Sequence, residues 1–571
     1  MRPPPQPSPA GGGGSSLRRL VPALQWMRQY SKGWLRVDVT AGLTASAVVI
    51  PKAMAYAAIA GLPLQVGLYT VLVPMVIYAV LGTSRPLSVS TTTTIAILVA
   101  AELAEVAPGA GAGDLIAASA AMALLVGAML IVSGVLRFGF VANFISEPVL
   151  VGFKGAIALV ITVDQIPKLL GFHIEKAGFL RDIVSIAQHL PQTSWITLSL
   201  AVVLFTLLFG LEHFVPRVPA PLVAFAVAIA ATSLFELAQA GVETVGNVPR
   251  GLPQLVPPAW HLFADLWPAA AGIALVSFTE TVAAARAFRA SGEPALVPNQ
   301  ELFALGAANV VGGLFGAMAA GGGTSQTAVN RRSGARTQVA ELVTAAVALA
   351  TLLLLAPLIA LIPQVALAAI VIVYSVELFK PAEFREIWNV RRAEFHWAAS
   401  AVLGVLLLGT LKGIIVAVVV SLLALAYGAY NPPVYAVGRK RGTNVFRPLS
   451  MEHPNDETWP GLLILRTEGR VFFANAQRVG EQMLPLIEAA QPTIVVLDGS
   501  AVIDIEYTAL KMLAEAEEKL REDGVALWLA GLNPHVLDMV RRSRLGLALG
   551  PDRLFANVEM ALAAYLKTPR E

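Results

Sequence analysis

The 571-residue chain is 56% hydrophobic and 14% charged, with a net charge of +3, seven histidines and no cysteine. A soluble protein carries roughly 25% charged residues, so this is membrane composition. The small net charge gives no ground for a nucleic-acid partner, and the lack of cysteine excludes disulfides, thiolate chemistry and cysteine-ligated zinc.

The first sixteen residues, MRPPPQPSPAGGGGSS, hold too few apolar side chains to bury a core, and residues 1–16 read as a disordered tail. They lack the apolar stretch of a cleaved secretory signal. Residues 17–431 read as a transmembrane domain. Fourteen candidate spans begin near Val37, Leu64, Val89, Leu115, Pro148, Trp195, Pro219, Leu262, Pro298, Ser325, Gln338, Gln364, Phe395 and Lys412. Those near Val89 and Ser325 are too short to cross a bilayer alone, since a crossing takes ~20 apolar residues. A cytoplasmic N-terminus gathers most of the lysines and arginines on the inside, among them Arg18, Arg19, Arg28, Arg137, Arg331, Arg332, Arg336, Arg391 and Arg392. That asymmetry obeys the positive-inside rule, and an even number of spans returns the C-terminus to the cytoplasm.

After NPPVY (Asn431 to Tyr435) the composition turns mixed and charged, and residues 432–571 read as a cytoplasmic linker and a small α/β domain. LLILRTEGRVFFA reads as a strand pair, TIVVLDGS and VALWLAGL as buried strands. Helices are expected over Ala476 to Ala489, Thr508 to Arg521, Val536 to Arg542 and Val558 to Leu566.

Two segments break the apolar pattern. AAGGGTSQTAVNRRSGART (Ala319 to Thr337) places three consecutive glycines and a row of hydroxyl and amide side chains at membrane depth. Unpaired backbone groups there cost several kcal/mol unless they line a cavity or lie inside protein. PLSVSTTTTIAILVA (Pro86 to Ala100) is its counterpart, with residues that favour a short strand followed by an N-cap. Upstream of each lies an apolar helix carrying an ionisable group, Lys52 in VVIPKAMAYAAIAGLP and Glu280 in IALVSFTETVAAARAF. Thr92 follows Lys52 by 40 residues and Ser325 follows Glu280 by 45. The echo implies two inverted halves of seven spans, each with a half-helix starting near the midplane. A helix start carries unpaired N–H groups and about half a positive charge, so two of them facing one gap suit an oxyanion or a carboxylate. Thr91, Thr92 and Thr93 on one side and Thr324, Ser325 and Gln326 on the other add donors, and Gly323 lets the backbone approach closely.

These residues resemble the SulP anion-transporter family, the bacterial relatives of solute-carrier family 26. DVTAGLTASAVVIPKAMAYAAIAGLPLQVGLYTVLVPMVIYAVLGTSRPLSV is similar to the family's first three spans, GGTSQTAVNRRSGARTQ to its tenth, and VVLDGSAVIDIEYTALKML with VALWLAGLNPHVL to a STAS domain. The resemblance implies a membrane all-α fold of 14 spans in 7+7 inverted repeats with two half-helices, divided into core and gate domains, followed by the cytoplasmic STAS domain. It implies a homodimer in the bacterial inner membrane. It places Lys52, Tyr56, Thr92, Glu280, Ser325 and Gln326 at the substrate site. The chain departs from the family pattern at Lys52, where Gln is frequent, at Gln326, where Arg is frequent, and at Ser90 and Thr91, which replace Gly-Pro. In the STAS domain the usual Asp-Ser-Thr turn reads Glu506-Tyr507-Thr508, so no phosphoserine switch is expected there.

The function expected is secondary active transport of a small anion by an elevator-like movement, with H⁺, or else Na⁺, as coupling ion. Substrate binding is assigned to Lys52, Tyr56, Thr91, Thr92, Thr93, Gly323, Thr324, Ser325 and Gln326, and coupling to Glu280, with Lys52 as its expected partner. Because Gln326 offers hydrogen bonds without a full charge, a C4-dicarboxylate or bicarbonate is expected ahead of sulfate. An anion channel, an exchanger and a membrane-anchored STAS regulator are the alternatives. No enzyme, cofactor or metal site is expected. GAMAAGGGTS lacks the lysine of a phosphate loop, and the histidines are scattered.

Overall fold

The computed structural model describes residues 21–28, 30–143, 146–174, 178–215, 218–246, 251–290, 293–376 and 378–567. The expected tail, residues 1–16, lies outside them. The chain divides into two compact units, one ending at Ser421 and the other starting at Leu422.

The first unit is built from helices, apolar but for Thr324–Arg332, and the last of them runs on past Ser421. In chain order they are α1 (Lys32–Ile59), α2 (Leu64–Leu81), α3 (Thr93–Val106), α4 (Ala112–Val135), α5 (Glu147–Leu170), α6 (Trp195–Phe214), α7 (Ala220–Leu234), α8 (Phe263–Ala287), α9 (Pro298–Leu314), α10 (Thr324–Arg332), α11 (Val339–Leu354), α12 (Gln364–Val376), α13 (Arg392–Leu408) and α14 (Thr410–Tyr430). Each starts within a few residues of an expected span. Two-residue strands, β1 (Val89–Ser90) and β2 (Gly321–Gly322), precede α3 and α10. At 1.5 Å per residue, the 14 residues of α3 and the 9 of α10 are both too short for a hydrocarbon core of ~30 Å.

The packing is that of an inverted repeat. Helix α1 packs on α11 and α8 on α4; α2 packs on α11 and α9 on α4; α13 packs on α5 and α6 on α12. Each contact becomes the other when seven is added to the lower helix number and subtracted from the higher, while α2 with α9 and α5 with α12 pair across the symmetry. The core domain comprises α1–α4 with α8–α11, and the gate domain α5–α7 with α12–α14.

Buried carboxylates hold the core's turns. Asp38 of α1 is 0% exposed and accepts from the backbone N–H of Arg336 (2.7 Å) and Thr337 (3.2 Å) and from the Thr337 hydroxyl (2.7 Å). Glu301 of α9 accepts from the Tyr78 hydroxyl at 2.6 Å and from the Thr83 N–H at 2.7 Å. Burial of Asp38 and Glu301 is tolerated because both carboxylates are hydrogen-bonded.

The second unit has a six-stranded sheet in the order β10, β9, β7, β5, β3, β4. The strands are β3 (Val434–Arg439), β4 (Phe446–Pro448), β5 (Leu462–Thr467), β7 (Ile494–Asp498), β9 (Ala526–Ala530) and β10 (Leu554–Phe555). Strands β5, β7, β9 and β10 run parallel, and β3 joins β5 antiparallel. Both faces are covered, as a parallel sheet requires. Leu463 and Leu465 pack with helices α15 (Ala476–Ala490), α16 (Tyr507–Glu522), α17 (Pro534–Arg542) and α18 (Arg544–Leu549), while Leu462 and Ile464 pack with α19 (Val558–Lys567). LLILRTEGRVFFA does supply two strands, but they do not pair with each other. Its second, β6 (Gly469–Val471), runs parallel to β8 (Val502–Ile505) in a separate two-stranded sheet. The stretch after Asn431, expected as linker, enters the sheet as β3 almost at once.

Candidate functional site

The two broken segments meet through their strands. Val89 pairs with Gly322 and Ser90 with Gly321 in antiparallel register, and the N–H of Gly323 donates to the carbonyl of Ser88 at 3.0 Å. The glycines are there for space. A Cβ on Gly322 would lie 2.8 Å from the Cα of Thr281 in α8, a backbone atom that cannot swing aside. The Gly322 N–H donates to the Thr281 hydroxyl at 2.7 Å, which fixes β2 against α8.

From this junction both half-helices start. Thr92 is the N-cap residue of α3, and its hydroxyl oxygen accepts from the Ile95 N–H at 3.3 Å. Its hydroxyl also donates to Glu280 Oε2 at 2.9 Å, and Thr94 donates to Glu280 Oε1 at 3.0 Å. At the other start the N-cap is Gly323, which brings no side chain to the first turn of α10. There the Lys52 ammonium donates to the Ser325 hydroxyl oxygen at 3.1 Å and sits 3.9 Å from the ring centre of Tyr374 of α12.

The assigned residues fall into two groups. Lys52 and Ser325 touch, as do Thr92 and Glu280, so each ionisable residue reaches the half-helix of the opposite repeat. Thr324 and Ser325 are exposed at the start of α10, Thr92 is half-buried, and Lys52 and Tyr56 are each 4% exposed one turn apart on α1. The others serve the junction itself. The Thr91 hydroxyl donates to the Ala319 carbonyl at 2.7 Å, and Thr93 is buried in the first turn of α3. Gln326 is 1% exposed, and its Oε1 accepts from the hydroxyls of Ser90 (2.8 Å) and Ser88 (3.4 Å). The oxygen of that carboxamide is engaged within the fold, which leaves its NH2 group as the part that could meet an anion.

The cation in an ion pair with Glu280 is Lys154 of α5, at 3.5 Å, where the sequence reading named Lys52. Lys154 was legible as the single cation of PVLVGFKGAIALVITVDQ, and a charge inside a span is a functional signal in its own right. Tyr374 and Ser88 had no comparable signature. Ser88 also donates to Glu341 Oε2 at 2.9 Å, and Asn330 donates to the other oxygen of that carboxylate. Of the three arginines, Arg331 pairs with Glu293 at 2.9 Å, and Arg336 takes part through its backbone.

The two helix ends differ electrically. Both carry about half a positive charge. At α3 the Glu280 carboxylate lies against it. At α10 a second positive group, Lys52, is added and the first turn is open. An arrangement of half-helices around one polar spot between packed repeats belongs to membrane transporters of small solutes.

Comparison with known proteins agrees. The Sulfate permease family model matches residues 35–401 and the STAS domain model residues 453–561. The chain belongs to the sulfate permease family and is a multi-pass anion transporter with a C-terminal STAS domain. It is 34% identical over 553 residues to a probable sulfate transporter of Mycobacterium tuberculosis (strain CDC 1551 / Oshkosh), covering 95% of this chain and 98% of that one. To the chloroplastic sulfate transporter 4.1 of Arabidopsis thaliana it is 30% identical over 571 residues, covering 96% and 83%. Among solved structures, its fold is similar to that of the murine solute carrier 26 family member A9 anion transporter in the inward-facing state. The TM-score is 0.88 at 21% identity, over 99% of this chain and 97% of that one. The transmembrane domain of the cyanobacterial bicarbonate transporter BicA matches 69% of this chain and 98% of its own, with a TM-score of 0.56 at 23% identity.

Proposed function

We propose that this chain is a proton-coupled symporter of a small oxyanion, sulfate first, which it binds at the start of α10. The observation that carries the reading is the Lys52 ammonium 3.1 Å from Ser325 at an exposed helix N-terminus. Two positive groups so close repel each other until an anion joins them, and the N–H groups of Thr324, Ser325 and Gln326 are the ones a helix leaves unpaired. The relatives' names favour sulfate over the carboxylates expected from Gln326. Thr92 and Tyr56 complete the site, with Thr91, Thr93, Gly323 and Gln326 holding its backbone.

Glu280 is the coupling group. An ionised carboxylate at the other half-helix opposes an arriving anion, and a proton on Glu280 removes that opposition. Sulfate and proton therefore load together. Lys154 belongs to the gate and Glu280 to the core, so displacement of the core, elevator-fashion, breaks their contact. In this reading residues 17–431 form the transport domain and 432–571 the cytoplasmic linker and STAS domain. Both termini face the cytoplasm, and the unit in the cell membrane is a homodimer.

Uptake of labelled sulfate, bicarbonate, succinate and chloride into proteoliposomes, with and without proton and sodium gradients, tests the reading. Sulfate accumulation driven uphill by an inward proton gradient is expected. Flux that no gradient can drive uphill means a channel, a dependence on sodium replaces the coupling ion, and carboxylate uptake without sulfate uptake removes the proposed substrate. Glu280→Gln is expected to keep sulfate exchange and lose the acceleration by the proton gradient.

A further inference from the structure

Glu102 has no part in the site just described, yet its surroundings are unusual. It lies on α3 nine residues beyond Thr93, ~14 Å along the helix axis from the broken end and so near the far edge of a ~30 Å hydrocarbon layer. The side chain is 3% exposed, and its Oε2 is buried without a hydrogen-bond partner. It lines an open cavity of ≈ 560 Å³ with Glu105, Val106, Ala264, Asp265 and Pro268. The charged groups that face it among the described residues are Glu105, on the next turn of α3, and Asp265, in the first turn of α8; both are carboxylates.

A buried carboxylate flanked by two others and by no cation has to be neutralised by something it binds. A metal ion requires several oxygens converging at about 2.0–2.6 Å. Among the described residues no three acidic or histidine side chains are grouped in that way. A proton needs one oxygen, and one is free. Thr94, Leu98 and Glu102 follow one another at four-residue spacing along a single face of α3, and Thr94, like Thr92, donates to Glu280.

We propose that Glu102 is a second proton-binding site of the transporter, loaded from water through the acidic cavity on the side of the membrane opposite the N-terminus. One proton passes from hydronium to Glu102, leaving water and a neutral carboxylic acid, with no change of oxidation state. Glu105 and Asp265 gather protons at the mouth. Because α3 also carries Thr92, a proton on Glu102 travels with the core. The inference rests on the proton-coupled reading above.

The test uses the full chain in proteoliposomes, with labelled sulfate uptake and proton flux measured together against external pH. Where one proton limits uptake, the rate changes about tenfold per pH unit. Wild type, in which Glu280 and Glu102 both load, is expected to exceed that slope, and Glu102→Gln to fall back to about tenfold per pH unit while sulfate exchange at equal pH persists. Glu102→Asp restores the slope, and the double variant Glu105→Gln/Asp265→Asn reduces it less than Glu102→Gln does. An infrared carbonyl band of a carboxylic acid that grows on acidification and vanishes in Glu102→Gln supports the site without relying on transport. A Glu102→Gln protein with the wild-type slope, proton flux and carbonyl band overturns the inference alone. A wild type that moves no protons overturns the coupling reading and this inference with it.

Discussion

The starts of α3 and α10 occupy equivalent places in the two repeats and are finished in opposite ways. At α3 a threonine caps the helix and a glutamate from α8 accepts from it at 2.9 Å. At α10 a glycine stands in the cap position and a lysine from α1 donates to the first turn at 3.1 Å. The repeat fixes where an ionisable residue meets a half-helix, while the identity of that residue decides whether the end is already satisfied. One fold thus carries a neutralised terminus and an electropositive one, joined through a single two-residue ladder. In the proposed reading the anion is drawn to the second.

Removing the cation that makes the difference has the largest expected effect. Lys52→Met lowers sulfate affinity roughly 30-fold or more, the scale for losing one partner of a desolvated charge pair, measured as KM for uptake. Moving the contrast is the sharper experiment. In Lys52→Glu/Glu280→Lys the charges exchange ends, and binding that survives would locate the site at α3. Thr92→Val removes the α3 cap and a hydrogen bond to Glu280, so it is expected to alter the pH dependence of uptake more than the KM for sulfate. Ser325→Ala is expected to do the reverse.

In Gly322→Ala the new Cβ meets the Thr281 backbone at 2.8 Å, and overpacking of this kind costs about 1–3 kcal/mol. The melting temperature in detergent should fall, with the α10 terminus disturbed ahead of the α3 terminus. In the soluble unit Arg466 lies 2.6 Å from Asp498, which is 2% exposed. Arg466→Met strands that carboxylate at a cost of about 3–5 kcal/mol, so proteolysis within residues 432–571 should begin at lower denaturant. The smallest effect is pH-linked. The hydrogen bonds from Arg447 hold the Asp456 carboxyl below the ordinary carboxylate range. A lowered folded-state value gives stability that is present above about pH 4 and fades as pH falls below it. The destabilisation caused by Asp456→Asn should therefore be visible at neutral pH and disappear in acid.

Much of this could be read from the residues. A polar run inside an apolar segment has few physical explanations, and both breaks, at Val89 and at Gly321, fall where the hydroxyls and glycines put them. The pairing of the two breaks was not legible, because antiparallel register between residues more than two hundred positions apart leaves no local signature. Side-chain direction was equally hidden. Gln326 sits in the same turn as Ser325, yet it points inward to Ser88 and Ser90 while Ser325 stays exposed. Lys154 differs, since its lone charge was visible, but its partner lies on a helix from the other half of the chain. In the soluble unit alternation marked the buried strands, whereas the short strands β6 and β8 lack enough residues to show a period.

The two-residue ladder between β1 and β2 has a mechanical meaning. It welds the tips of two half-helices from separate repeats into a single strut, further pinned to α8 by the Gly322 N–H. In the elevator reading proposed above, whatever ion rests against that strut is ferried as a passenger on one stiff body.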